Sequence, residues 1–180
     1  MSLSLRDFNA ARDRIQGRVR VTPMLDPKPH RPVLDAGAGA RTLLKLECLQ
    51  ASGSFKVRGA ANKLLSLDQA EADAGLITAS GGNHGLAVAW AAASADVPAC
   101  VYLPTSSPQS KADSLRAMGA EVIITGAVWD EANEAALAAA KVRGMTYVHP
   151  FADPSVIAGQ GTLALEILEQ APDADTLLVA

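Results

Sequence analysis

The sequence predicts an α/β protein: parallel strands in a sheet covered by helices. Three observations predict it. From Leu76 onward, strand-like and helix-like stretches alternate without a break, and repeated units of that length connect parallel strands. Glycine-rich segments stand at strand-to-helix junctions, in CLQASGSFK and SGGNHG. The composition is globular and alanine-rich, 49% hydrophobic and only 4% aromatic, too apolar for a disordered chain. At 180 residues the chain is long enough for one domain, or one and a part.

Taken in order, Ser4 caps a first helix, with Asp7 completing a capping box. That helix runs to about Gln16, and Gly17 suits its end. VRVTPML is extended, because Thr22 precedes a proline. HRPVLDAGAGA, residues 30–40, is loop-like, and RTLLKLE reads as a strand. Helices follow over Phe55–Leu65 and Asp68–Asp73, then a strand in LITAS and a helix over Asn83–Ser94. PACVYLP is the next strand. A helix over Pro108–Met118 follows, with Ser107 as N-cap and Pro108 in the first turn, where its missing N–H is harmless. EVIITG is a strand, Val128–Val142 a helix closed by Gly144, MTYVH a strand, Ser155–Gln170 a helix, and DTLLVA a last strand. The crossovers are expected to be right-handed, with ligands at the carboxyl ends of the strands.

Several function classes drop out. A net charge of −3, with mixed signs along the chain, leaves no basic footprint for nucleic acid. The most apolar run, LAVAWAAASADVPACVYL, is interrupted by Asp96 and Pro98 and reads as helix then strand, not a membrane span. His30, His84 and His149 show no metal-ligand spacing, so no metal is expected. Cys48 and Cys100 lie far apart and read as reduced thiols of a cytoplasmic protein. The N-terminal stretch lacks the apolar core of a secretory signal.

Two loops carry chemistry. In SGGNHG, glycines let the backbone turn tightly and approach a ligand. The following helix start offers free N–H groups to a carboxylate or phosphate, and Asn83 can donate and accept. The same residues also suit a plain glycine-rich turn capped by Asn83. Lys56 opens a helix, where the dipole disfavours a cation. It reads either as a solvated charge or as a desolvated amine able to attack a carbonyl group. Arg58 and Lys63 read as ordinary charges on a helix face. His84 reads as a structural hydrogen-bonder or a carboxylate contact, and His149 as part of a bend.

Together LLKLECLQASGSFKVRGA, ASGGNHGLAVAWAA, KADSLRAMGAEVIITG and YVHPFADPSVIAGQGTLALEILEQ resemble the serine/threonine dehydratase group of fold-type II pyridoxal-phosphate enzymes, which includes serine racemases. RIQGRVRVTPML fits too, so the resemblance runs from about Ala11 to Ala180. It implies a tryptophan synthase β-like fold, with a small α/β domain over 52–146. Residues 1–51 and 147–180 then belong to a larger, incomplete cofactor-binding domain. It implies pyridoxal 5'-phosphate as cofactor, bound as a Schiff base to Lys56. Phe55 packs against the cofactor ring and Asn83 bonds its ring oxygen, while Ser80, Gly81, Gly82, Asn83 and His84 receive the substrate carboxylate. The implied reaction turns a small β-hydroxy amino acid, such as L-threonine or L-serine, into a 2-oxo acid and ammonia. Lys56 takes the α-proton. A homodimer is implied as well.

The resemblance has two departures. The group often carries SSGNH in the second loop, and its second serine serves racemases as an acid/base. Gly81 stands there, which favours elimination over racemization. The family's glycine-rich phosphate cradle follows the strand matching TLLVA, and the sequence stops at Ala180. A non-catalytic N-terminal fragment is therefore an alternative. A β-replacement synthase of the same fold is another, although LQASGSFK and SGGNHG lean towards the dehydratases.

Overall fold

The computed structural model describes residues 3–27 and 41–179. The loop expected over 30–40, and His30 with it, lie outside the described residues.

Helix α1 spans Leu5–Ile15 and is capped as its sequence predicts: the Ser4 N–H donates to Asp7 Oδ2 at 2.8 Å. Strand β1, Met24–Leu25, pairs antiparallel with β2, Leu44–Lys45. The strand expected in RTLLKLE therefore shrinks to two residues, and they lie in this separate ribbon. Helix α2 is Lys56–Leu65, with Phe55 just before it as N-cap. Helix α3, Gln69–Ala74, is capped by Asp68, which accepts from the Glu71 N–H.

The core elements then alternate as predicted: β3 Leu76–Ala79, α4 Asn83–Ser94, β4 Ala99–Leu103, α5 Gln109–Ala117, β5 Glu121–Ile124, α6 Trp129–Arg143, β6 Thr146–Tyr147 and α7 Pro154–Gln170. The four strands form one parallel sheet in the order β5-β4-β3-β6. Strands β3 and β4 are buried along their whole length, as parallel strands sandwiched between helices must be. Because side chains alternate across a strand, Leu76, Val101 and Leu103 join Val57, Leu64, Val88 and Val156 in one core layer. Ile77, Ala79, Cys100 and Tyr102 turn to the other face and pack on Ala132, Ala136 and Ala140 of α6.

Three predicted boundaries need correction. Pro108 is itself the N-cap of α5, with no side-chain cap hydrogen bond, and the Ser107 N–H closes a turn on Pro104 O at 2.9 Å just before the helix. Helix α7 begins at Pro154, one residue early. Asp153 caps it, accepting from the Ser155 and Val156 N–H groups. The strand expected in DTLLVA does not form: Asp175–Val179 are neither helix nor strand, and Leu178 is 91% exposed. A strand needs a neighbour for its N–H and C=O groups, and these residues have none among the described residues.

Helices α2 and α7 cross at a pair of glycines. A Cβ on Gly159 would stand 2.5 Å from Arg58 O and 2.7 Å from Gly59 Cα. Alanine is the better helix former, yet here its methyl meets backbone that has no room to yield. Gly159→Ala is expected to destabilise the fold by about 1–3 kcal/mol, as overpacking does; urea unfolding measures it.

Candidate active site

Lys56 is the first residue of α2. No acidic side chain lies in that first turn, so the partial positive charge of the helix end is uncompensated there. The lysine is half-buried, and its burial lowers the amine below the usual lysine range. Its Nζ donates to Pro150 O at 3.0 Å and lies 5.2 Å from the centre of the Phe55 ring. Among the described residues it has no carboxylate partner. By contrast, Lys45 pairs with Glu166 at 2.6 Å and Lys63 with Asp153 at 2.9 Å. Desolvation, a helix N-terminus and the lack of a counter-ion all push this amine towards its neutral, nucleophilic form.

The second loop leaves the carboxyl end of β3, the central strand next to β4. Trp129 Nε1 fixes that end by donating to Ala79 O at 2.8 Å. Ser80 Oγ accepts from the Gly82 N–H at 3.2 Å. The loop then doubles back so closely that a Cβ on Gly85 would overlap Ser80 O, which is why glycine stands there. Asn83 opens α4 and is exposed, with Gly82 as N-cap. The first turn of α4 also lacks an acidic residue, so its free N–H groups face an anion unopposed.

His84 is buried behind the loop, 3% exposed. Its Nε2 lies 3.0 Å from Val148 O. A carbonyl oxygen only accepts, so Nε2 carries the proton and Nδ1 is an acceptor. Nδ1 has no partner among the described residues. Burial, opposed by the Val148 carbonyl and reinforced by the charges of Lys56 and His149, pushes the imidazole down to about 4. A neutral ring with a bare Nδ1 has no donor left for a carboxylate, so the loop's anion contacts fall to backbone N–H groups. Because the folded pKa lies below the unfolded value of about 6.5, stability is retained above that value. It is lost as pH falls from there through about 4. An NMR titration is expected to show the His84 ring neutral down to about pH 4.

One segment holds both loops. Thr78 Oγ1 and His84 Nε2 donate to Val148 O, and Lys56 Nζ donates to Pro150 O. His149 Nδ1 accepts from the Phe151 and Ala152 N–H groups, the bend expected from the sequence. The sequence reading missed this strap, because a backbone carbonyl acceptor leaves no residue signature.

Arg58 is a correction. It is no helix-face charge: it is fully buried, donating through Nε and Nη2 to Glu47 and through Nη1 and Nη2 to Glu166. Lys45 adds a second cation to Glu166. Burial opposes the guanidinium charge, but the two carboxylates outweigh it and hold the group protonated. A partial signal was available, since Val57, Gly59, Ala60 and Ala61 around Arg58 are small or apolar, although Lys56 and Asn62 are polar. Lys63 also pairs, with Asp153, tying α2 to the cap of α7.

This lysine-bearing α/β fold is matched by known proteins. Residues 15–180 match the family described as pyridoxal-phosphate dependent enzyme, and the chain belongs to that family. It is 42% identical over 177 residues to an L-threonine ammonia-lyase of Thermotoga maritima, covering 98% of this chain and 43% of that protein. The solved structure of maize serine racemase superposes with a TM-score of 0.89 at 32% identity, over 97% of this chain and 52% of that one. A solved threonine deaminase from T.th. gives 0.83 at 42% identity, over 97% and 54%. The chain thus spans about half the length of the relatives it matches.

The residues present fit the family's cofactor. Beside the desolvated, unpaired amine of Lys56 lie buried polar atoms with no partner among the described residues, Ser52 Oγ and Ser54 Oγ. His84 Nδ1 is a third, in the facing loop. Buried polar atoms in native interiors nearly all find a partner in protein, water or ligand, and these three are free to meet a polar cofactor. Among the described residues no cluster of His, Cys, Asp or Glu is suited to a metal ion, and no helix is long and apolar enough to cross a membrane.

Proposed function

We propose that this chain is the lysine-bearing part of a pyridoxal-phosphate ammonia-lyase. It acts on a small β-hydroxy amino acid such as L-threonine or L-serine and releases a 2-oxo acid and ammonia. The observation that carries the reading is Lys56, desolvated and without a carboxylate partner at the start of α2. The likeness to an L-threonine ammonia-lyase at 42% identity supports the choice of substrate.

Lys56 Nζ would hold the cofactor, with Phe55 to pack against its ring and the exposed Asn83 amide to bond its ring oxygen. When bound, pyridoxal phosphate supplies the electron sink that makes the α-proton of an amino acid acidic. The N–H groups of Gly81, Asn83 and His84, those of the turn not already given to Tyr102 O or Ser80 Oγ, orient the substrate carboxylate. Once the substrate's own amino group has displaced it from the cofactor, the freed Lys56 Nζ, its basicity lowered by burial, would take the α-proton as general base. His84 stays uncharged and braces the loop through Val148 O. Gly81 brings no side chain to the loop, so the loop itself offers no acid/base group there, and elimination is favoured over racemization.

In this reading the protein works in the cytoplasm, where Cys48 and Cys100, both free, stay reduced, and it forms a homodimer. The test of the activity is direct. The purified protein is incubated with pyridoxal phosphate and L-threonine or L-serine, and 2-oxo acid and ammonia are measured. Equimolar release of both is expected. No release from either amino acid at saturating cofactor contradicts the reading.

A further inference from the structure

We infer that Ser107 supplies the hydroxyl that serves the Ser80–His84 loop in place of a side chain at position 81, and that it helps position the substrate. The inference rests on the proposed lyase reading for its functional half only.

Gly81 is half-buried and has no positive φ, so its backbone does not require glycine. What fills the space is a neighbour. A Cβ built on Gly81 would lie 3.1 Å from Ser107 Oγ, 3.5 Å from Leu103 Cδ2 and 3.8 Å from Ser107 Cβ. The nearest atom is therefore a hydroxyl, brought in from the adjacent β4–α5 connection.

The connection holds it there firmly. Strand β4 pairs with β3 in register through Ala79 and Tyr102, and the Ser80 N–H donates to Tyr102 O. On the other side the Thr105 N–H donates to Gly126 O at 2.8 Å, and the Ser107 N–H to Pro104 O at 2.9 Å. Pro108, fixed in φ, follows at once as the N-cap of α5. The Ser107 side chain is thus pinned beside the loop by backbone on both flanks. Its N–H is spent in the turn, so its hydroxyl is what it offers the loop. A hydroxyl there can donate to a carboxylate or accept from a substrate hydroxyl.

Four forms of the protein test this: the unaltered chain, Ser107→Ala, Gly81→Ser and the double variant. In the cofactor-free protein, Gly81→Ser is expected to lower the melting temperature while Ser107 is present. In the Ser107→Ala background the same change is expected to cost clearly less, since one atom, Ser107 Oγ, is the tight contact. With cofactor, Ser107→Ala is expected to raise KM for L-threonine or L-serine about tenfold with kcat within about twofold, one lost hydrogen bond to a charged group. Ser107→Thr keeps KM near the original, and the double variant recovers most of the loss because a hydroxyl returns at position 81. Additive melting shifts, or an unchanged KM in Ser107→Ala, overturn the inference. If the unaltered protein releases no 2-oxo acid, the lyase reading fails by itself, and the melting cycle still decides whether Ser107 occupies the side-chain space of position 81.

Discussion

Lys56→Ala is expected to abolish 2-oxo acid release while leaving the fold intact. The loss should exceed the roughly 10²–10⁴-fold that a general base contributes alone, because the same amine also holds the cofactor. The structural cost is small. Lys56 donates one hydrogen bond, to Pro150 O, and among the described residues joins no ion pair. Removing it should change stability by no more than about 1 kcal/mol, and relief of its desolvation works in the opposite direction. The checks are initial rates together with urea unfolding of the same preparation. A large stability loss would mean that Lys56 is a structural cation.

Arg58→Met, one half-turn along the same helix, should do the reverse. It strips Glu47 and Glu166 of their shared guanidinium and leaves two largely buried carboxylates facing each other, with Lys45 alone to answer Glu166. Breaking a buried pair from one side costs about 3–5 kcal/mol, a large share of the roughly 5–15 kcal/mol that holds a domain together. The consequence reaches the site, because this cluster ties α2, which carries Lys56, to α7 and to the 47–49 turn. Glu166 also gives the cluster a pH signature. Burial raises its carboxyl, but Arg58 and Lys45 outweigh that and hold it below the usual value of 4.5. Its stabilisation is therefore fully present above about 4.5 and lost as pH falls through the lower folded value. Acid unfolding of the unaltered protein should show this together with the His84 contribution, and Arg58→Met should lose much of the Glu166 part.

The residues that were legible in the sequence are those whose role is local. Ser4 with Asp7, Gly144 after α6 and the glycines of the SGGNHG loop act through neighbours within a few positions. Their spacing therefore announces them. The alternation from Leu76 to Gln170 was legible for the same reason, and with it the parallel sheet. The strand in RTLLKLE forms over only two residues and the one in DTLLVA does not form, because strand extent depends on a partner that local pattern does not contain. The cap of α5 falls at Pro108, one residue after Ser107, and carries no side-chain hydrogen bond, a one-residue shift that local pattern does not resolve. Within the site, Lys56 and the SGGNHG loop could be named, but their surroundings could not. Local chemistry left Lys56 undecided between a wet cation and a buried amine. The difference lies in burial, in the distant Pro150 carbonyl and in the lack of a carboxylate, and only the folded chain settles these. Arg58 shows the same limit from the other side. Its small, apolar neighbours hint at burial, but its partners lie 11 and 108 positions away, so nothing next to it in sequence names them.

The central claim is that Lys56 is the amine that reacts with the cofactor. The protein is mixed with pyridoxal phosphate and reduced with borohydride, and the labelled lysine is identified by peptide mapping. The expected result is a pyridoxyl group on Lys56 at low cofactor concentration, ahead of Lys45, Lys63, Lys111 and Lys141. Label spread over the exposed lysines, with Lys56 no more modified than they are, would contradict it.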